Sequence, residues 1–161
     1  MQAAILHAIR SRRHRVVWLV PPCKTCSQAR RPAVRSSSAP WGIAGLTADQ
    51  QRQVDDANEL ILCCARVVRL CRRLKVAYVL ENPKTSLLWA LAPFSSEAPR
   101  NLRVSAGFCK LKTPWRKPTS YLPNVPELHQ IAIRCSPKAG VCSKSGRRHR
   151  ILEGEAPIGR W

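Results

Sequence analysis

The chain has 161 residues, 45% of them apolar, which is enough for about one domain with a core of its own. Its 28 Lys and Arg against 9 Asp and Glu give a formal charge of +19, a balance suited to a polyanionic partner such as nucleic acid. No uncharged apolar run approaches the ~18 residues a bilayer span requires, the longest being Thr85–Ser96, and the scattered prolines and glycines follow no repeat.

In chain order, QAAILHAIR at residues 2–10 predicts a short helix with Ile5, Leu6 and Ile9 on one face. Its apolar part precedes the basic Arg12–Arg15, the reverse of a secretory signal, although the acid-free, Arg- and Ser-rich first 48 residues have the composition of an organelle transit peptide. VVWLV at 16–20 then predicts a buried strand that runs directly into Pro21, Pro22 and Cys23. Residues 28–46, rich in Arg, Pro, Ser and Gly, predict a long mobile loop. Thr47 and Gln50 stand in capping-box spacing, and Val54, Ala57, Ile61, Cys64, Val68 and Cys71 keep a helical rhythm to about Lys75. A second apolar strand follows in VAYVLENP, ending on Glu81 and Asn82. Strand, helix, strand predicts an α/β fold with a mostly parallel sheet and a right-handed crossover. Further short strands are expected at Leu102–Ser105 and Thr119–Leu122.

Parallel sheets gather functional groups at the carboxyl ends of their strands, where both Cys23 and Glu81 fall. A proline pair fixes φ and removes two N–H donors, so the turn presents its thiol rigidly, as nucleophilic catalysis requires. Lys24, Arg30 and Arg31 supply a positive field that favours thiolate. A structural free cysteine is the alternative reading of Cys23, and a redox pair of Cys23 with Cys26 is another.

PPCKTCS (21–27) and YVLENP (78–83) together resemble motifs four and six of the DNA cytosine-5 methyltransferases, approximately Pro-Pro-Cys-x-x-Phe-Ser and Glu-Asn-Val, each following a strand of a Rossmann-like sheet. The resemblance implies that Cys23 adds to carbon 6 of a flipped-out cytosine, that Glu81 contacts ring nitrogen 3, and that Pro22 and Asn82 shape the site. FCKLKTPWRKPTSYL resembles a diverged motif eight, in which Lys117 falls on an arginine of the family pattern and Arg116 lies beside it, both near the nucleotide. Trp115 and Thr119 replace the glutamine and second arginine of that pattern, Cys26 an aromatic of motif four and Pro83 the valine of motif six. The glycine-rich motif that binds S-adenosylmethionine does not occur among the 22 residues before Cys23. The resemblance therefore implies a fragment or relic, inactive as an isolated chain unless an N-terminal part supplies the methyl donor.

Eight cysteines without a secretory signal predict reduced thiols in an intracellular protein, nuclear if the source is eukaryotic. Cys63, Cys64 and Cys71 read as small core residues of the long helix. Cys109, Cys135, Cys142 and His149, with six residues between each of the last three, form a ligand set for a closed tetrahedral zinc shell, and Gly140 and Gly146 would let the loop fold round an ion. Free cysteines in a basic loop are the alternative. The boundaries expected are an incomplete methyltransferase-like region at 1–122 and a basic, loop-rich Cys/His extension at 123–161. Residues 82–152 hold thirteen basic and two acidic side chains, which suits a nucleic-acid partner, and the methyltransferase resemblance implies DNA ahead of RNA. A non-catalytic nucleic-acid-binding module with a structural zinc site is the rival function, and oligomeric state is left open.

Overall fold

The computed structural model describes residues 2–96 and 103–150. Helix α1 (Gln2–Arg10) leads into strand β1 (Val16–Leu19), and the long helix α2 (Ala48–Leu74) returns the chain to strand β2 (Ala77–Pro83). A 3-10 turn at Leu87–Ala90 and the one-turn helix α3 (Ala92–Ser95) follow. Strand β3 (Val104–Gly107), a 3-10 turn at Phe108–Leu111, strand β4 (Pro118–Pro123) and a 3-10 turn at Pro126–Ile131 complete the regular elements. No described helix is long and apolar enough to cross a membrane.

Helix α2 starts where the capping box predicts. Thr47 Oγ1 accepts from the Gln50 N–H and the Gln50 side chain accepts from the Thr47 N–H, so two otherwise orphaned donors are satisfied reciprocally. It ends as Lys75 turns left-handed (φ 55°) and its N–H reaches back to Arg72 and Cys71. Val54, Ala57, Ile61, Val68 and Cys71 are buried as expected, whereas Leu60 is 44% exposed. Helix α1 lays Leu6 and Ile9 against the same core and leaves Ile5 outside.

The sheet order is β1-β2-β4-β3. Strands β1 and β2 are parallel neighbours, with Leu19 opposite Leu80, which is the βαβ unit expected from the sequence. Strand β4 runs antiparallel to both β2 and β3, so two of the three pairings are antiparallel and the expectation of a mostly parallel sheet is corrected. The reason is connection length: residues 108–117 are too few for a crossover that returns a strand in the same direction, so β3 and β4 pair antiparallel. Strands β1, β2 and β3 consequently point one way and β4 the other.

Strand alternation sorts the side chains between two faces. Tyr78 and Leu80 of β2 join Leu122 of β4 under α2, with Leu88, Leu91 and Phe94 closing the end of the main core. Val79, Val104, Ala106 and Tyr121 form a smaller cluster on the other face, covered by Phe108, Leu128 and Ile131. At the β1 edge that face is open: Val16, Trp18 and Val20 are all more than half exposed, and Trp18 meets Tyr121 edge-on at 6.1 Å.

Residues 28–46 are irregular but anchored, in contrast to the mobile loop the composition predicts. Arg35 is buried at 4% exposure and donates to the Pro40 carbonyl and Asn58 Oδ1 at 2.8 Å, and to Thr25 Oγ1 at 3.2 Å. Asn58 in turn donates to the Trp41 carbonyl. One buried guanidinium thus fastens the segment to α2 and to the turn after Cys23, a role its five donors suit.

Candidate functional site

The two sequence motifs meet at one rim of the sheet. Strand β1 ends beside Leu80, and two residues later the Pro21 carbonyl accepts a 3.0 Å hydrogen bond from Asn82 Nδ2. Asn82 is 1% exposed, so this bond lies out of competition with water and fixes the Pro-Pro-Cys turn to the end of β2. Beyond it Pro22, Cys23 and Lys24 are exposed. The turn closes with the Cys26 N–H on the Cys23 carbonyl at 3.1 Å, and the Cys26 carbonyl accepts from Leu87 N–H at 2.9 Å. Cys23 therefore stands on a short exposed turn tied down at both ends.

Cys26 sits inside the main core at 0% exposure, and desolvation raises its thiol pKa despite the nearby Arg35. Burial of this kind suits a packing residue and opposes a resolving thiolate. Cys63 and Cys71 are buried in α2 as expected, and burial together with Cys63 pushes the Cys64 thiol up to about 11.

Glu81 precedes Asn82 on β2 and projects from the opposite face, half-buried beside Tyr121. Burial, and after it the Glu81 carboxylate, raise the Tyr121 hydroxyl pKa. Arg116 and Lys117 lie immediately before β4, whose Thr119 pairs with Pro83 and whose Pro118 carbonyl accepts from Lys84 N–H. Because β4 is reversed, its start falls at the same rim as the end of β2. Arg116 is exposed, while the Lys117 ammonium rests 5.0 Å above the Phe108 ring. Strand β2 thus has the Cys23 turn on one flank and the Arg116–Lys117 pair on the other. Asn82 Oδ1 is buried without a hydrogen-bond partner at this junction.

The second constellation grows from the same rim. Strand β3 ends at Gly107, and Cys109 follows in the 3-10 turn. Cys135 approaches Gly107 so closely that a Cβ there would meet Cys135 backbone and side chain at 3.5 Å. Cys142 and His149 are delivered by a small turn system: His149 N–H donates to the Gly140 carbonyl, Cys142 N–H to the Arg147 carbonyl, and Gly146 N–H to the Cys142 carbonyl. Gly140 (φ 77°) and Gly146 (φ 67°) both occupy the left-handed region, where a residue with a Cβ would be strained.

The ligand atoms of Cys109, Cys135, Cys142 and His149 all lie within 4.8 Å of one another, with Cys135 Sγ 3.6 Å from His149 Nε2 and 3.9 Å from Cys142 Sγ. Such a cluster could hold a metal ion. The Ser145 and Lys144 backbone N–H groups hold the Cys142 thiol down at about 5, whereas burial and the neighbouring thiols push Cys109 up to about 12. Three crowded sulfurs resist ionising together unless a cation compensates them.

Comparison with protein-family models, with curated proteins and with solved structures finds no match.

Three structural features around these residues carry no sequence signal: the Arg35 bond to Thr25, the pairing of Tyr121 with Glu81, and the Asn82 bond to Pro21. A polar cleft of about 590 Å³ lined by Lys84, Trp89, Arg103, Ser105, Ser120 and Arg134 is also unannounced in the sequence, since its walls come from separate segments. Trp161 and the residues after Arg150 lie outside the described part of the chain.

Proposed function

We propose that the chain carries the cytosine-side part of a DNA cytosine-5 methyltransferase-like catalytic region, built on a partial Rossmann-like sheet and acting on DNA rather than RNA. The observation that carries this reading is the buried Asn82–Pro21 hydrogen bond, which joins the turn bearing Cys23 to the strand bearing Glu81. The bond supports the reading by holding the turn of Cys23 to the strand of Glu81, 58 positions away, with Cys23 exposed and Glu81 half-buried.

The chemistry follows from cytosine itself. The base must leave the duplex to reach the rim. The Cys23 thiolate forms a bond to carbon 6, and the electron pair of the carbon 5–carbon 6 double bond moves into the ring. The Glu81 carboxyl gives its proton to nitrogen 3 and so stabilises the charge that arrives there. Carbon 5 becomes nucleophilic and takes a proton from water. Water takes the original proton from carbon 5, the Glu81 carboxylate takes its proton back from nitrogen 3, and the thiolate is expelled as the carbon 5–carbon 6 double bond re-forms, which restores cytosine with its hydrogen exchanged. Pro22 and Asn82 hold the thiol in place, and exposed Arg116, with Lys117 behind it, faces the nucleotide's phosphate.

S-adenosylmethionine, the methyl donor the resemblance implies, finds no fit among the described residues. It calls for a glycine-rich loop, whereas α2 opens on Thr47 and Gln50, whose N–H groups are both taken by its own capping box. The chemistry these residues perform alone is addition and exchange.

Zinc fits the second constellation. Three thiolates and one imidazole complete a four-coordinate shell with no position left for substrate, so Cys109, Cys135, Cys142 and His149 would hold the ion in a structural role.

The test is release of hydrogen from carbon 5 of cytosine in DNA incubated with the zinc-loaded protein in deuterated water, read by mass spectrometry. The wild-type protein is expected to exchange it, and Glu81→Gln to slow exchange by about 10²–10⁴-fold, the usual worth of a positioned proton donor. No exchange above buffer in the wild type contradicts the reading and favours a non-catalytic nucleic-acid-binding module.

A further inference from the structure

We infer that the Cys109–Cys135–Cys142–His149 centre, when closed on a metal ion, assembles a phosphate-binding strip for duplex DNA, so that metal occupancy sets nucleic-acid affinity. The inference rests on the nucleic-acid partner proposed above and adds to it a location and a control.

Each ligand is delivered with a cation beside it. Lys110 follows Cys109, Arg134 precedes Cys135, and Arg148 and Arg150 flank His149. Lys144 lies two residues past Cys142, its backbone N–H directed at the Cys142 sulfur at 3.4 Å. Bringing the four ligands together therefore gathers charge from three separate segments. Of these cations Arg148 and Arg150 line a cleft of about 430 Å³ with Cys109, Cys142 and His149 in its wall, where Lys112 and Arg147 join them, while Arg134 lines the polar cleft beside Lys84 and Trp89. Among the described residues, no titratable group other than these cations, the thiols and half-buried His149 lines the first of these clefts. Four like charges around one concavity repel each other and draw in an anion with several negative groups.

The hydrocarbon content of this region is too small to hold it. The buried apolar cluster here consists of Cys109, Cys135 and Cys142, which are the ligands themselves. Beyond them the segments are joined by a few backbone bonds, Arg150 N–H to the Pro114 carbonyl at 2.9 Å among them, and by single bridges such as Val141 with Arg148. A part of this size with no other core among the described residues depends on its ion to stay folded. Without the ion the cations separate, and the strip is lost with the fold.

The strip also lies next to the catalytic rim, because Cys109 follows β3 at the end where Gly107 pairs with Pro118, one residue from Lys117. A backbone held there would leave a turned-out base within reach of the Cys23 turn.

The experiment uses the full chain, fluorescently labelled duplex DNA and anisotropy titrations over a range of salt. Zinc-loaded wild type is compared with the same protein after chelation, and with a triple variant, Arg147→Gln, Arg148→Gln and Arg150→Gln, loaded with zinc. Cobalt substitution verifies that the triple variant keeps its thiolate-coordinated metal. Chelation is expected to weaken binding at least about tenfold near 0.1 M salt, and the metal-loaded triple variant to lower the salt slope by about 3, close to one unit per lost phosphate contact. Equal affinity with and without metal, a wild-type slope in the metal-loaded triple variant, or absence of cobalt–thiolate absorption in the wild type would each overturn the inference. Zinc-independent DNA binding by a protein that still exchanges cytosine hydrogen sinks this inference alone. Zinc-dependent DNA binding without exchange sinks the catalytic reading alone.

Discussion

Cys23→Ser is expected to bring cytosine hydrogen exchange down to the rate of buffer alone while leaving the protein folded. The reason is the nucleophile. A thiol is a few per cent ionised at neutral pH and attacks well as its anion, whereas a serine hydroxyl needs a strong adjacent base to do the same. No histidine stands in the turn to act as one. The four residues around position 23 are held by backbone groups and by Asn82, Thr25 and Arg35, none of which touches the sulfur through a recorded hydrogen bond. An exposed Cys-to-Ser change of this kind falls among substitutions that alter stability by only about 0.5 kcal/mol or less. Circular dichroism and a urea midpoint equal to wild type, together with abolished exchange, are the outcome expected. Exchange at wild-type rate in Cys23→Ser would remove the thiol from the mechanism.

Loss of the metal is the other large effect. At free zinc about a thousandfold above its dissociation constant the ion contributes about 4 kcal/mol to the folded state. For a chain of this length that corresponds to a thermal midpoint raised on the order of 10 °C. Chelation, or Cys142→Ala in the presence of zinc, is expected to remove that increment and to expose the amides of residues 107–150 to hydrogen exchange while the amides of α2 and β2 stay protected. The same centre should release protons as it loads. Cys142, held down at about 5, is already thiolate at pH 7, but Cys109, pushed up to about 12, carries a proton that the ion must displace. Zinc affinity therefore falls as pH is lowered, and it falls further once Cys142 protonates near its own lowered pKa. A midpoint indifferent to zinc, or an affinity that rises on acidification, would contradict this assignment.

The parts of the fold that were legible in the sequence are those set by local signals. The Thr47–Gln50 box and the apolar rhythm of Val54 to Cys71 define α2 within one residue at each end, and its place between two apolar runs implies the parallel β1–β2 pair. The direction of β4 was not legible, because a strand reads the same in either sense and only its connection to β3 decides. Leu60 keeps the helical period yet stays exposed, since periodicity names a stripe and not how far neighbouring elements cover it. Residues 28–46 look loose by composition. Their order comes from Arg35, a residue type that composition assigns to solvent, whose two terminal nitrogens are held here by partners 5, 10 and 23 positions away.

The site divides along the same line. Cys23 and Glu81 could be marked from two short motifs, and the Cys109–Cys135–Cys142–His149 cluster from residue type and spacing. What joins them is tertiary: the Asn82 amide on the Pro21 carbonyl, the close approach of Cys135 to Gly107, and the reversal of β4 that brings Arg116 and Lys117 to the rim. None of these leaves a periodicity to read. The Glu81–Tyr121 neighbourhood likewise follows from a cross-strand register that no local signal specifies.

The most direct measurement is covalent. An oligonucleotide in which one cytosine is replaced by 2-pyrimidinone lacks the amino group that feeds electrons into the ring, so carbon 6 accepts a thiolate more readily than in cytosine. Incubated with the protein and read by intact mass and peptide mapping, it is predicted to form one adduct, on Cys23, at a rate that falls when Glu81 is changed to Gln. Adducts spread over the exposed and buried thiols alike, or none at all under conditions in which the oligonucleotide is bound, would contradict the claim that the thiol and the carboxyl serve one base.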